Sequence, residues 1–332
     1  MTSSDESRAK PRRRWRWLVL ALAVTFGAYS AGWFWMADRL KKEADSAVAA
    51  LNTRGVAAGC TNLKVSGFPF SFTVTCDNVA YQDDARDIAA SAGAFYTTVT
   101  PLWPFDARAR LEAPLRTAIP GTPPLWIDWD NFRANIKLSF STPRDVTLTA
   151  DGLSGQTDPV DESEPVQLFS AAQAQAQFQP NGLDLAYRGS FTDLEIDPEA
   201  LDGRILPPLA GSGIINIKNG LALLATKVSG LRGQAAEITY LDLSSGDAKV
   251  SLSGPISVNA DGLIDASLKI SLQNPNAVAA ILAGAIPEKA SEIRQGFAAL
   301  AMFGKAPSMP LKIVKGKAAL GFIPLGRIGP LQ

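Results

Sequence analysis

The chain has 332 residues, 46% of them apolar, with 32 basic and 32 acidic residues, two cysteines and no histidine. That apolar share excludes disorder for most of the chain, and the missing histidine excludes Ser-His-Asp, Cys-His and His-metal hydrolases along with the commonest metal ligand. The first 42 residues hold nine basic and three acidic residues, leaving 23 basic and 29 acidic for the rest, a net of −6 that argues against nucleic acid.

Residues 1–16 form a polar, basic tail ending in Arg12, Arg13, Arg14 and Arg16. The twenty residues Trp17 to Met36 carry no charge, and as a helix they rise about 30 Å, the thickness of a hydrocarbon core. Trp15, Trp17, Tyr29, Trp33 and Trp35 crowd the two ends, as interfacial aromatics do. Basic residues dominate before the run and are diluted by Asp38 and Glu43 after it, so the positive-inside rule puts the N-terminus in the cytoplasm and the body in the periplasm. A cleavable signal peptide competes with a single-pass inner-membrane anchor, because Ala28-Tyr29-Ser30 is a small-x-small site. The apolar run continues past it through Met36, which favours the anchor. Residues 37–55 read as a membrane-proximal helix with Leu40, Ala44, Ala47, Val48 and Leu51 at helical spacing, expected to lift the body off the membrane; residues 56–332 read as a β-rich domain.

Cys60 and Cys76 enclose fifteen residues. In an oxidising compartment such a pair forms a disulfide, whereas two thiolates without histidine fall short of the four ligands of structural zinc. Phe68, Phe70, Phe72, Val74 and Cys76 alternate with polar or proline residues, the pattern of a strand with an aromatic inner face.

Gly67-Phe68-Pro69-Phe70-x-Phe72 followed by Cys76-Asp77-Asn78-Val79, behind a basic N-terminal anchor, resembles the alphaproteobacterial membrane-anchored family catalogued as domain of unknown function 2125. The similarity covers nearly the whole chain, including Trp126 to Ser139 and Gly316 to Leu331. That family has no established activity and supplies no catalytic residue. The resemblance implies a bacterial envelope protein with an elongated sheet, more distantly similar to AsmA-like and TamB-like lipid-handling proteins.

From Thr97 to Pro124 six prolines predict a connecting or edge region. Strands resume with Ile136, Leu138 and Phe140 and with Val146, Leu148 and Ala150 in alternation. Asp151-Gly152-Leu153, Asn181-Gly182-Leu183, Asn219-Gly220-Leu221 and Asp261-Gly262-Leu263 read as tight hairpin turns. Their spacings of 30, 38 and 42 residues are too uneven for a solenoid and fit a meander. Alternation marks Ala172 to Phe178, Leu183 to Tyr187, Ala248 to Leu252 and Ala266 to Leu272 as strands with one wet face. Asp158 to Glu164 reads as a solvated acidic loop. Asn276 to Phe303 takes helical spacing, interrupted at Pro287, and predicts an amphipathic pair packed on the sheet. A last strand, Leu311 to Phe322, is followed by a Pro- and Gly-rich tail without regular structure.

The expected fold is therefore mainly β with a few helices: a transmembrane helix, then an elongated, curved, mostly antiparallel sheet forming an open half-barrel or groove, with a C-terminal helical pair packed on it. No catalytic residue, metal site or cofactor is expected. Trp126-Ile127-Asp128-Trp129-Asp130 pairs two carboxylates with two indoles as carbohydrate sites do, although aromatic packing beside solvated acids is the plainer reading. The remaining candidate is the apolar face carrying Phe68, Phe70, Phe72, Ile136, Leu138, Phe140, Leu268 and Ile270, which is either a core closed by the helices or a groove for an acyl chain. The expected function is handling of an envelope lipid or other amphiphile at the inner membrane. The alternative is a structural or assembly factor that binds an envelope protein, with Pro101 to Pro124 as its contact loop; a polysaccharide hydrolase using Asp128 and Asp130 stands third.

Overall fold

The computed structural model describes residues 11–52, 56–139, 143–159, 164–226, 231–301, 304, 307–321 and 323–330. Helix α1 (Pro11–Leu51) is followed by five long ribbons, each broken once. They are β1 (Val56–Thr61) with β2 (Lys64–Ser66), β3 (Phe72–Cys76) with β4 (Asn78–Asp83), β5 (Ile88–Ala92) with β6 (Phe95–Thr100), β7 (Trp103–Leu111) with β8 (Leu115–Ala118), and β9 (Leu125–Asp128) with β10 (Asn131–Leu138). Then come β11 (Pro143–Thr157), β12 (Gln167–Asn181), β13 (Asp184–Ile196), β14 (Leu209–Ile217), α2 (Gly220–Thr226), β15 (Ala235–Ser245), β16 (Ala248–Val258) and β17 (Ile264–Gln273). The helices α3 (Pro275–Ala285) and α4 (Ala290–Ala301) precede a closing trio, β18 (Ser308–Val314), β19 (Lys317–Leu320) and β20 (Ile323–Arg327).

Every ribbon pairs antiparallel with the ribbon next in sequence. β1 pairs β4 while β2 pairs β3, β4 pairs β5 while β3 pairs β6, and β8 pairs β9 while β7 pairs β10. Beyond β11 the order runs without exception to β20. The twenty strands thus make fifteen ribbons of one up-and-down meander. At about 4.8 Å between neighbours the meander is some 67 Å along its hydrogen-bonding direction, and a sheet of that width has to twist and curl. Among the described residues β20 pairs with no strand but β19, so the sheet is not closed.

The registers reveal a crease. Leu111, Phe132, Ala150 and Ala174 follow one another across β7, β10, β11 and β12 on one face, here called inner. In several ribbons the inward residues at this height are separated by three positions instead of two: Cys76 and Val79, Ala92 and Phe95, Trp129 and Phe132, Ala150 and Leu153; across the β7–β8 break Leu111 and Leu115 are four apart. This extra residue is a β-bulge, and it bends the ribbon while returning the apolar side chains to the same face. The bulges line up, and backbone hydrogen bonds cross between ribbons at that height, from Asp77 N to Thr61 O, Gly93 N to Glu112 O, Glu112 N to Ala94 O and Asp130 N to Asp151 O. In the first half of the sheet most buried residues lie along the crease and its flanks, at Cys76, Ala92, Ala109, Trp129, Ala134, Ala150 and Ala171. Small residues dominate there because two bent halves of a sheet converge.

The expected disulfide is present, Cys60 on β1 joined to Cys76 on β3 with the Cα atoms 5.3 Å apart. It ties the two sides of the crease at the first edge of the sheet. That edge is covered by α1, which lies along β1 and β2. Ser30, Trp33, Ala37, Leu40, Ala44 and Val48 form the buried or half-buried stripe of the helix, three or four residues apart, while Ala47 and Leu51 are exposed. The segment expected to hold the body away from the membrane is therefore part of the body.

Several expectations change. The strand through Phe68 begins only at Phe72, because Gly67 to Ser71 make a turn closed by Ser71 N donating to Gly67 O. The proline-rich stretch is not an edge: Pro101 and Pro104 fall at the end of a hairpin, Pro114 at the crease and the rest in the β8–β9 loop, which leaves 105–111 free to run between β6 and β10. Of the four Gly turns, Gly182 and Gly262 join adjacent strands, but Gly152 (φ 62°) is the crease bulge inside β11 and Asn219-Gly220 leads into α2. Ala171, not Ala172, points inward, since the bulge shifts the period. The single last strand is the β18–β19 hairpin, turned at Lys315 (φ 48°) and Gly316 (φ 75°), and the tail supplies β20. Phe140, Phe303, Phe322 and most of the acidic loop lie outside the described residues. The helical pair packs as expected: Val278 joins Ala248 and Leu272 in a cluster with Val250, Ile270, Phe297 and Met309 around it.

The disulfide closes a loop in the unfolded chain worth about 3 kcal/mol. Replacing Cys60 and Cys76 together by Ala is expected to lower the unfolding free energy by about that amount in chemical denaturation, and a reductant should do the same to the parent and nothing to the variant.

Candidate functional site: an apolar groove on the inner face

Burial along this sheet is shallow. Among the described residues no large side chain is fully buried, and the apolar inner row is mostly half-exposed. Between β8 and β15 this row bounds a groove of about 720 Å³ lined almost wholly by apolar atoms, a size common for small-molecule sites. Its wall at the crease is Leu115, Ile127, Trp129 and Phe132, and its other end is Leu241 and Leu243, which are 43% and 42% exposed.

Sequence explains the depth of the groove. Its floor is built of Ala150, Ala174 and Ala176 and of Gly189, Gly211 and Gly213. Aromatic rings fold down over such glycines: a Cβ on Gly155 would overlap the Phe169 ring, one on Gly211 the Phe191 ring, and one on Gly189 the Tyr187 hydroxyl end. A Cβ on Gly213 would come to 2.9 Å from Leu241 Cδ1. Rings laid on glycine strengthen pairing without rising into the space above it. Phe178 and Tyr187, paired across β12 and β13, extend the row with ring centroids 5.2 Å apart.

The carboxylates nearest the groove are paired. Asp151 accepts from Gln173 Nε2 at 3.0 Å and Arg133 Nη2 at 2.7 Å, Asp184 from Lys218 Nζ at 2.9 Å, and Asp242 pairs with Lys249 at 2.7 Å. Asp83, 3% exposed, is satisfied by Arg86 and by the backbone N–H groups of Ala85 and Arg86. No group of three metal-ligating side chains exists among the described residues.

The eight residues singled out from the sequence fall in separate places. Phe68 and Phe72 pack on Trp33 of α1, Phe72 stacked on it at 5.1 Å and Phe68 edge-on at 5.4 Å. Phe70 is 81% exposed at the turn. Ile136 and Leu138 are half-buried on β10, beyond the groove toward its near end, and Phe140 lies outside the described residues. Leu268 sits with Ile238, Ala266 and Ile313 in one cluster, and Ile270 lies beneath the helical pair. The groove lies between these groups, on glycine and alanine positions that a search for large apolar residues passes over. The signal that finds it is an aromatic on one ribbon with glycine at the register position beside it, such as Phe191 with Gly211.

The indole and carboxylate cluster is divided between faces. Trp129 is buried at the crease, where its Nε1–H donates to Leu111 O at 2.9 Å, so its ring is not free to stack on a sugar. Trp126 is covered by the Arg116 guanidinium, 4.2 Å from the ring centroid. Asp128 is the last residue of β9 and accepts from Trp129 N, and Asp130 lies in the bend against Gly152.

The profile of a family described as an uncharacterized protein conserved in bacteria (DUF2125) matches residues 33–329. The chain belongs to this family. The match begins at Trp33, the first buried residue of α1, and ends just past β20, so the family's shared unit coincides with the sheet plus the part of the helix that packs on it. A search of curated proteins gives no match.

Trp129→Phe is expected to keep the ring and leave the Leu111 carbonyl without its donor, costing about 1–3 kcal/mol in denaturant titrations. The Gln173 hydrogen bond, with the Arg133 charge beside it, holds the Asp151 carboxyl below the ordinary carboxylate range. A depressed folded pKa stabilises the fold above the unfolded value and loses that contribution as pH falls through the folded one. Asp151→Asn is therefore expected to be less stable than the parent at neutral pH, with the two stabilities converging in acid.

Proposed function

We propose that this protein is a single-pass inner-membrane protein whose periplasmic sheet holds the apolar part of an envelope lipid or other amphiphile in the β8–β15 groove. The observation that carries the reading is an apolar groove whose long side chains stay half-exposed instead of packing shut. A water-filled groove of this composition is unfavourable, and an acyl chain would recover about 0.8 kcal/mol for each methylene buried. From β10 to β15 the groove crosses five interstrand spacings, about 24 Å, against roughly 15 Å for one leaflet of a hydrocarbon core.

α1 and the disulfide support this compartment and topology. The helix is long and apolar enough to cross a membrane, a property an anchor and a signal sequence share. The arginines before it and the disulfide after it support a cytoplasmic N-terminus and an oxidising compartment for the sheet. A binding role without catalysis agrees with the pairing of Asp151, Asp184 and Asp242, the carboxylates nearest the groove.

The second reading, an assembly factor that binds another envelope protein, draws on the open edge of β20, a template for strand addition. Pro324 and Gly326 in that edge weaken it as a template, so the groove is the stronger candidate.

The test is mass spectrometry of lipid co-purified with the full chain. Ala176→Trp, which raises an indole from the groove floor, is expected to reduce bound lipid about tenfold, equivalent to 1.4 kcal/mol. Gln179→Trp, at an exposed position of the same strand that does not line the groove, should leave it unchanged. A parent protein free of lipid, or equal retention by both variants, would sink the reading.

A further inference from the structure

We propose that the Gly67–Ser71 turn and the neighbouring Thr100–Trp103 hairpin end form an aromatic tip that is inserted in the outer leaflet of the membrane beside α1. The proposal rests on the reading that α1 spans a bilayer and adds where the sheet stands relative to it.

The argument begins with contacts along the helix. Phe68 meets Phe26 at 6.2 Å, Trp33 at 5.4 Å and Phe34 at 5.5 Å between ring centroids. Tyr29 donates its hydroxyl to Pro69 O, and Trp33 Nε1 donates to Ser71 O at 3.2 Å. The turn is thus fixed at the level of residues 26–34 of the helix. From Trp17, where the uncharged run starts, to Ala28 there are twelve residues, about 18 Å of helix. A hydrocarbon core is about 30 Å thick, so a helix that crosses it must keep Tyr29 to Met36 in the membrane too. Whatever is bound at that level is at the same depth.

The chemistry of the turn suits that depth independently. No charged residue occurs from Gly67 to Ser71 or from Thr97 to Phe105. Phe70, Leu102 and Trp103 are 81%, 86% and 70% exposed, a cost in water and a gain in lipid. β3 and β6 are adjacent and antiparallel, with Phe72 opposite Val99, so the turn before β3 and the turn after β6 lie side by side. Backbone in a bilayer has to satisfy its own polar groups. Here the Gly67 carbonyl accepts from Ser71 N, those of Pro69 and Ser71 accept from Tyr29 and Trp33, and Pro69, Pro101 and Pro104 have no N–H to satisfy. Amphipathic surfaces of this kind sit about 5–10 Å into the headgroup–acyl boundary.

The full chain, reconstituted in phospholipid nanodiscs with benzoylphenylalanine at one position at a time, tests this. The positions are Leu22 in the span, Phe70 and Trp103 in the tip, and Ile205, which is 71% exposed in the β13–β14 connection at the opposite end of the ribbons. On illumination, lipid adducts are expected at Leu22, Phe70 and Trp103 and at least about tenfold fewer at Ile205. Adducts at Leu22 with none at Phe70 and Trp103, or protein adducts there instead of lipid, overturn the tip while leaving the anchor standing. No lipid adduct at Leu22 overturns the anchor, and the tip with it. All four sites are exposed, so the probe displaces no core side chain.

Discussion

The structure depends on a register shift. The ribbons β3–β4, β5–β6 and β9–β10 and the strand β11 each carry one residue more than a flat sheet would need, and the extra residues sit at the same height. Without them, the side chains on one half of each ribbon would turn to solvent, because a shift of one position reverses every side chain beyond it. With them, the sheet bends and remains apolar on the inside of both halves. The buried positions of the first half of the sheet gather on that line, and the disulfide and the Trp129 hydrogen bond secure it.

Bending a sheet creates a concave face without filling it. A sandwich fills the space with a second sheet, and here the pair α3 and α4 covers β16 and β17. The ribbons between the crease and that cover meet the problem with small residues and with rings folded onto glycine, which lowers the apolar relief and leaves room above it. The same economy that makes the sheet weakly buried makes the groove, so stability and site share one origin.

Helix α1 joins the two ends of the argument. Its stripe from Ser30 to Val48 covers the edge that would otherwise offer unpaired backbone, and its Trp33 organises Phe68, Phe72 and the turn between them. The match to the family profile starts at that residue. Between Ser30 and Met36 the helix covers the sheet edge with one face while the rest of its apolar surface stays exposed, and the sheet is fixed against it by direct contact.

Composition and periodicity by themselves determined the uncharged helix behind its arginines, the antiparallel class of the sheet, the C-terminal helical pair and the cysteine partnership, because each is written in local spacing or in the small number of available partners. Strand ends were misread where one residue resets the period, as at Ala171, Gly152 and Phe72, since a bulge cannot be told from a turn without knowing the neighbouring ribbon. The prolines from Pro101 to Pro124 were misread for a related reason: their effect depends on whether they fall at a hairpin end or within a ladder. The groove was decided by tertiary structure alone. It consists of glycines and alanines set beside aromatics from the next ribbon, and which residues stand side by side is fixed by register, not by position in the chain.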